Sequence, residues 1–286
     1  MTHREIIDIF KLRIGALMAL TAVAGYVVTP GIRLSSPQLL LLALVVLGAS
    51  AAAGAFNQFA EHDLDAKMAR TAKRAFVTGA AVPDRRWLAL IAALLLVSVT
   101  LGGWAFNLTV AFHLFMGAFF YGVIYTLWLK RRSPLNIVIG GAAGSFAVLA
   151  GAAAADPGLS PESALLAVVL FLWTPPHFWA LAIVLHKDYE AAGVPMLPVV
   201  KGDAVAARVI LVNTVVLVAV SLLPSLFAMG WIYLAGALAG GGYFIFRGMQ
   251  LVASPTQKAA MRCFLASLVQ LSAVLLAAML DEFLRT

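Results

Sequence analysis

Three oxygen-bearing side chains stand four residues apart at Asn57, Glu61 and Asp65. On a helix a step of four residues turns about 400°, so the three stack along one face. Just beyond them come Lys67, Arg70, Lys73 and Arg74. Hard oxygen donors beside a group of cations suit a magnesium–diphosphate ligand. Mg2+ takes oxygen ligands and is bound by a few carboxylates plus substrate phosphates, and Arg and Lys neutralise the remaining phosphate charge. The plain alternative is a solvated helix end with ordinary surface carboxylates. Asn57 argues against it, because it lies with Phe56 and Phe59 at the end of a long apolar run, where a polar group is costly unless it is used. Asp63 falls off the row and reads as a supporting or solvated group.

Other residues gather round this row. Asp188-Tyr189 follows a later apolar run as the first motif follows an earlier one. Asp188 could complete the first metal or hold a second; the alternative is a loop aspartate paired with Lys187. Lys130-Arg131-Arg132 ends another run, where a topology role suffices and a phosphate contact is an addition. Asn136 nearby could cap a helix or reach the site. His177 follows Pro175-Pro176 and could line a cavity, pair with a freed carbonyl or ligate a metal. His113 reads as a packed, hydrogen-bonded residue of an apolar helix; Tyr121 and Tyr125, four apart, could line the same cavity as His177, with core packing as the default.

These residues have to be positioned by membrane helices. The chain has 286 residues, 63% of them hydrophobic and 12% charged. A soluble domain has about 45–50% and about 25%. The apolar residues come in long runs, so the chain reads as one all-α polytopic membrane domain over 1–286 with nine transmembrane helices, each near the ~20 residues a bilayer requires. The expected spans are 12–28, 37–59, 87–104, 108–129, 136–155, 162–185, 204–226, 231–246 and 259–280, after a short polar segment at 1–11. The first has no small-residue cleavage pattern and reads as a retained helix. Small residues from Gly140 to Ser145 allow close helix approach. The double proline should bend or break its span, as tolerated beside a cavity. Gly193, Pro195 and Pro198 should shape the second polar loop. Cys263, alone, excludes a disulfide framework and reads as a small apolar residue. With the N-terminus in the cytoplasm, all of the 20 Lys and Arg except Arg33 and Arg285 fall on the inner side. The positive-inside rule therefore puts the C-terminus outside and both acidic loops inside. The same distribution explains the net charge of +7 without nucleic acid.

Three stretches carry a family likeness: Asn57-Gln-Phe-Ala-Glu61-His-Asp-Leu-Asp65-Ala-Lys-Met68-Ala-Arg70-Thr71-Ala-Lys-Arg74, then Tyr125-Thr-Leu-Trp-Leu-Lys130-Arg131 running to Gly144, then Pro175-Pro-His177-Phe-Trp running to Asp188-Tyr189 and Pro198. The pattern resembles the UbiA superfamily of intramembrane prenyltransferases, in its haem-farnesylating branch. The family's Asn-x-x-x-Asp-x-x-x-Asp has Glu61 at its first acidic position. Its second Asp-x-x-x-Asp is reduced to Asp188, with Val184 at the earlier position, a form similar to that of the haem branch. Ala75 stands where relatives often have proline.

The resemblance implies a UbiA-type bundle and an activity. One or two Mg2+ held by Asn57, Glu61, Asp65 and Asp188, the catalytic set, would bind the diphosphate of farnesyl diphosphate. Arg70, Lys73, Arg74, Lys130 and Arg131 would stabilise the departing diphosphate. Haem b would be the acceptor, with His177 as its contact or iron ligand, and haem O the product. It further implies the bilayer of a bacterial inner membrane and a downstream haem A synthase as partner. Two competing readings are an aromatic quinone-precursor acceptor and a transporter with a cytoplasmic anion site. Against the transporter, no internal repeat is visible and every candidate residue falls on one side.

Overall fold

The computed structural model describes residues 2–227 and 229–285. Among these the chain forms only helices: α1 (His3–Ile9), α2 (Leu12–Val28), α3 (Ser36–Ala60), α4 (His62–Asp65), α5 (Ala75–Thr78), α6 (Arg85–Ala105) and α7 (Leu108–Phe119), which runs on as a π-helix (Phe120–Leu129). Then come α8 (Asn136–Gly140), α9 (Ala142–Ala155), α10 (Pro161–Val184), α11 (His186–Ala191), α12 (Leu197–Lys201), α13 (Asp203–Leu222), α14 (Trp231–Ala253) and α15 (Gln257–Arg285). Among the described residues seven helical stretches are long and apolar enough to cross a bilayer. The 17-residue α2 is at the short limit. The 23-residue α14 lies outside the seven; Arg247, then Gln250, interrupt its apolar run.

The long helices close into a ring of two halves. In the first, α2 packs on α3, α3 on α6, α6 on α7, α7 on α9, and α9 returns to α2. In the second, α10 packs on α13, α13 on α14, α14 on α15, and α15 returns to α10. The halves join through α9 with α10 and α2 with α15. Small residues make the tightest crossing, at a point further along α9 than the 140–145 stretch: a Cβ on Gly25 or Gly151 would collide with the carbonyl oxygens of Val148 and Ala22. Exposed Leu90, Leu96, Val97, Leu101 and Trp104 leave the outer face of α6 to lipid.

The structure departs from the expected elements in three places. The polar N-terminal segment is a helix, α1, with a Thr2/Glu5 capping box and a fully buried Ile9. α10 does not break at its prolines; it is helical from Pro161 to Val184. Pro176 has no N–H for the carbonyl of Leu172 four residues back. The side chain of Asn213 on α13 supplies the missing donor, with Nδ2 2.6 Å from that oxygen. The interruption falls instead in the 136–155 span, at Gly141 between α8 and α9, where a Cβ would press on Thr174 of α10. Asn107 builds the turn after α6: it accepts from the Val110 N–H at 3.0 Å, capping α7, and donates to the Ala153 carbonyl at 2.7 Å. Cys263 is buried in α15.

Asn213→Leu keeps the volume and removes the donor to Leu172. It should lower the thermal stability of the detergent-solubilised protein by about 0.6–2 kcal/mol, the range for an interhelical hydrogen bond in a membrane bundle. An unchanged Tm would mean the proline-freed carbonyl needs no partner.

Candidate active site

The acidic row sits where α3 ends. Glu61 leaves helical geometry at φ −110° and ψ 13°, and α4 restarts at His62. The four-residue hydrogen bonds still continue across the kink: the Glu61 N–H donates to the Asn57 carbonyl at 3.0 Å and the Asp65 N–H to the Glu61 carbonyl at 2.8 Å. Asn57, Glu61 and Asp65 are thus kept in line on a bent segment instead of one straight helix, and all three are buried.

Each member of the row holds a cation from a different part of the chain. Lys130, after the π-helix, donates from Nζ to Glu61 Oε2 at 2.5 Å. Arg74 donates from Nη1 to Asp65 Oδ2 at 2.6 Å. Lys11, between α1 and α2, donates from Nζ to Asn57 Oδ1 at 2.5 Å and to the Tyr121 hydroxyl at 2.9 Å. Thr71 donates to the Asp65 backbone carbonyl at 2.9 Å and shapes the loop. One oxygen of each carboxylate is left over: Glu61 Oε1 and Asp65 Oδ1 are buried and have no partner among the described residues.

Lys11 was invisible as a site residue in the sequence, where a lone cation beside a span reads as a topology signal. Its backbone lies in the left-handed region at φ 47°, a strain of about 1–3 kcal/mol for a non-glycine residue. Its stem runs over Gly54 of α3, where a Cβ would come within 3.2 Å of it. It also lines the cavity behind the row. Burial first, then the positive charges of Arg74 and Lys130, push its pKa down to about 7 against the pull of Glu61 and Asp65. A buried ammonium in that state gains from an arriving anion.

The other expected residues separate into two sets. Asp188, on α11, accepts the Arg70 backbone N–H at 3.3 Å, so the two polar loops meet. Tyr189 beside it is buried, which raises its phenol. Arg131, however, forms a two-pronged pair with Asp63 at 2.7 and 2.8 Å in the exposed loop. That pair holds the Asp63 carboxyl below the usual carboxylate range. The side chain of Lys73 is exposed and no described residue bonds it.

Behind the row lies an apolar cavity of about 410 Å³, lined by α2, α3, α7, α9, α10 and α15. Tyr121 and Tyr125 line it, as the alternative to core packing has it. Their rings stack at 5.5 Å, with Lys11 Nζ 5.4 Å from one ring centroid and Lys130 Nζ 5.5 Å from the other. His113 also faces the cavity, packed against Phe112 and Phe146 as expected, but its buried Nδ1 has no hydrogen-bond partner among the described residues. His177 lies between Trp173 and Phe264, with ring centroids at 4.1 and 4.5 Å. Its Nδ1 is 2.7 Å from Ser267 Oγ. Ser267 spends its only hydroxyl proton on the Phe264 carbonyl at 2.6 Å, so Nδ1–H must be the donor and Nε2 carries the lone pair.

Among the described residues no three of His, Cys, Asp and Glu converge into a ready-made metal cluster; the carboxylates are held by cations. The donor set nevertheless fits Mg2+ in kind, because two unpartnered buried carboxylate oxygens and an amide oxygen are the hard ligands it takes.

The UbiA prenyltransferase family pattern matches residues 18–273. The chain belongs to the UbiA prenyltransferase family. Among relatives in this family, Protoheme IX farnesyltransferase 2 of Paramagnetospirillum magneticum is 52% identical over 97% of this chain and 96% of its own. Protoheme IX farnesyltransferase 1 of the same organism is 46% identical over 99% of each. Two solved structures share the UbiA fold. One, of work on digeranylgeranylglyceryl phosphate synthase, has a TM-score of 0.81 at 18% identity over 98% of each chain. The other, a UbiA homologue from Archaeoglobus fulgidus bound to DMAPP and Mg2+, has a TM-score of 0.72 at 16% identity, covering 94% of this chain and 99% of that one.

The two cation pairs predict different stabilities. Lys130→Ala strands a buried carboxylate and should destabilise the protein by about 3–5 kcal/mol. Arg131→Ala breaks an exposed pair and should cost about 1 kcal/mol or less. Thermal unfolding of both variants in detergent checks the order; equal losses would contradict the assignment of Lys130 as the inward cation.

Proposed function

We propose that this chain transfers the farnesyl group of farnesyl diphosphate to the 2-vinyl group of haem b in a Mg2+-dependent reaction, giving haem O and diphosphate. The observation that carries the reading is the pair of buried carboxylates, each with one oxygen on a cation and one unpartnered, joined to an apolar cavity through Lys11 and Tyr121. The names of the relatives at 52% and 46% identity support haem as the acceptor.

Asn57, Glu61, Asp65 and Asp188 would hold the Mg2+. Bound there, the metal neutralises diphosphate charge and eases departure of the leaving oxygen. Lys11, Arg70, Arg74 and Lys130 stabilise the departing diphosphate, Lys11, Arg74 and Lys130 by exchanging their present partners for phosphate oxygens. Lys73 and Arg131 add positive potential at the rim. The allylic C–O bond breaks with its electron pair leaving on diphosphate. The terminal carbon of the vinyl group bonds to the freed allylic carbon. The cation left next to the macrocycle takes water, which loses a proton, and the hydroxyethylfarnesyl group results. The aromatic faces of Tyr121 and Tyr125 already carry cations and suit the allylic one. The cavity wall keeps water from the allylic cation until the vinyl group arrives.

His177 offers Nε2 to the haem, as contact or iron ligand, with Ser267 fixing the ring and its tautomer. The chain acts as one domain of nine spans in a bacterial inner membrane. Its N-terminus is cytoplasmic and its C-terminus outside, and its product passes to a haem A synthase. The distribution of Lys and Arg supports this orientation.

Purified protein given Mg2+, haem b and farnesyl diphosphate should yield haem with the mass of haem O, and Asp65→Ala should lower the rate by at least about 10²-fold. Turnover only with a 4-hydroxybenzoate-like acceptor would keep the fold and replace the acceptor; no turnover with either would overturn the reading. In haem titrations His177→Ala should change the Soret spectrum, and Ser267→Ala should weaken binding about 10-fold or more, the usual effect of losing a partner that orients a ligating histidine. Wild-type spectra in both would remove His177 from the haem site.

A further inference from the structure

The helix that carries Tyr121, Tyr125, Thr126 and Lys130 is in π geometry. Its turns close through bonds five residues apart, as from the Lys130 N–H to the Tyr125 carbonyl at 2.9 Å. The register decides which side chains share a face. At about 100° per residue an α-helix would place Tyr125 about 40°, Thr126 about 140° and Lys130 about 180° from Tyr121. Lys130 would then point away from the row. Unwinding by one residue per turn brings residues five apart nearly into line. All four side chains meet the site: Lys130 bonds Glu61, Lys11 bonds Tyr121, Thr126 bonds Asn57, and the Tyr125 ring lies under Lys130 Nζ.

Thr126 sits at the centre of this arrangement. Its hydroxyl donates to the Tyr121 carbonyl five residues back at 2.8 Å, which closes a π turn through a side chain. Having given away its one proton, Thr126 Oγ1 can only accept from Asn57, and Asn57 Nδ2 lies 3.0 Å away. That contact fixes the Asn57 amide with Nδ2 toward the helix and Oδ1 toward the row, where it meets Lys11 Nζ. A flipped amide would set an N–H2 donor against an ammonium and could not serve as a metal ligand. Gly122 lets the helix lie close to α3, since a Cβ there would come within 3.2 Å of the Phe56 ring.

We propose that the π register of Phe120–Leu129, held by Thr126, is the device that builds the metal–diphosphate corner: it turns Asn57 Oδ1 into the site and swings Lys130 onto Glu61. Thr126 is a positioning residue, acting through Asn57 and Lys130. The inference rests on the diphosphate reading above.

The test uses the purified full chain in detergent, with Mn2+ and inorganic pyrophosphate as the probe and Mn2+ electron paramagnetic resonance as the readout of binding. Thr126→Val keeps the shape but neither donates to Tyr121 nor accepts from Asn57. It should weaken Mn2+–pyrophosphate binding by about tenfold, or about 1.4 kcal/mol, with Tm close to wild type. Thr126→Ser, which keeps the hydroxyl, should restore binding. Wild-type affinity in Thr126→Val overturns the inference and leaves the diphosphate reading standing. Loss of binding together with a collapse of Tm in Thr126→Val, unrescued by serine, also overturns it, in favour of a purely structural role. Wild-type protein that does not bind the probe overturns the diphosphate reading and this inference with it.

Discussion

Two buried carboxylates with one cation apiece set the terms for the rest of this molecule. An ionised carboxylate inside a membrane bundle is tolerable only when paired, and Glu61 and Asp65 are each paired on one side only. Lys11, Arg74 and Lys130 come from three separate segments of chain, so the fold has to bring the start of α2, the loop after α4 and the end of the π-helix to one point. The result is a charge cluster rich in cations and short of anions. A magnesium–diphosphate supplies both missing parts: a metal for the unpartnered oxygens and phosphate oxygens for the ammonium and guanidinium groups.

The scaffold makes that convergence possible by being rigid near the cluster and open behind it. Gly25 and Gly151 let α2 and α9 touch backbone to backbone, which fixes the helix from which Lys11 hangs. Gly54 leaves a trough for the Lys11 stem, and the left-handed backbone at Lys11 aims it inward. The cavity between the two halves is apolar, so an isoprenoid tail and the cation made from it would be kept from bulk water. His177, locked between two aromatic rings and tied to Ser267, presents a polar group of fixed orientation to the wall of this cavity.

The membrane helices and the acidic row were legible in the sequence because both are local patterns: apolar runs of bilayer length, and oxygens repeating every four residues. What could not be read depends on contacts between distant residues. Pro175-Pro176 pointed to a bend or a break; Asn213, some forty residues on, supplies a donor and the helix is unbroken. The π register leaves no compositional mark; it shows in backbone bonds five residues apart and in Thr126 bonding both Tyr121 and Asn57. Lys11 looked like any basic residue flanking a span. Lys130 and Arg131 were indistinguishable as neighbours, yet one is buried on Glu61 and the other pairs with Asp63 at the surface.

The measurement that bears most directly on the central claim is an experimental structure with Mg2+ and farnesyl thiodiphosphate, a slowly reacting analogue. Metal density is expected against Glu61 and Asp65, with the diphosphate beside it and the Nζ atoms of Lys11 and Lys130 moved from Asn57 and Glu61 onto phosphate oxygens. The farnesyl chain should run into the cavity past Tyr121 and Tyr125. Diphosphate bound elsewhere, with the Lys130–Glu61 and Arg74–Asp65 pairs intact, would contradict that claim.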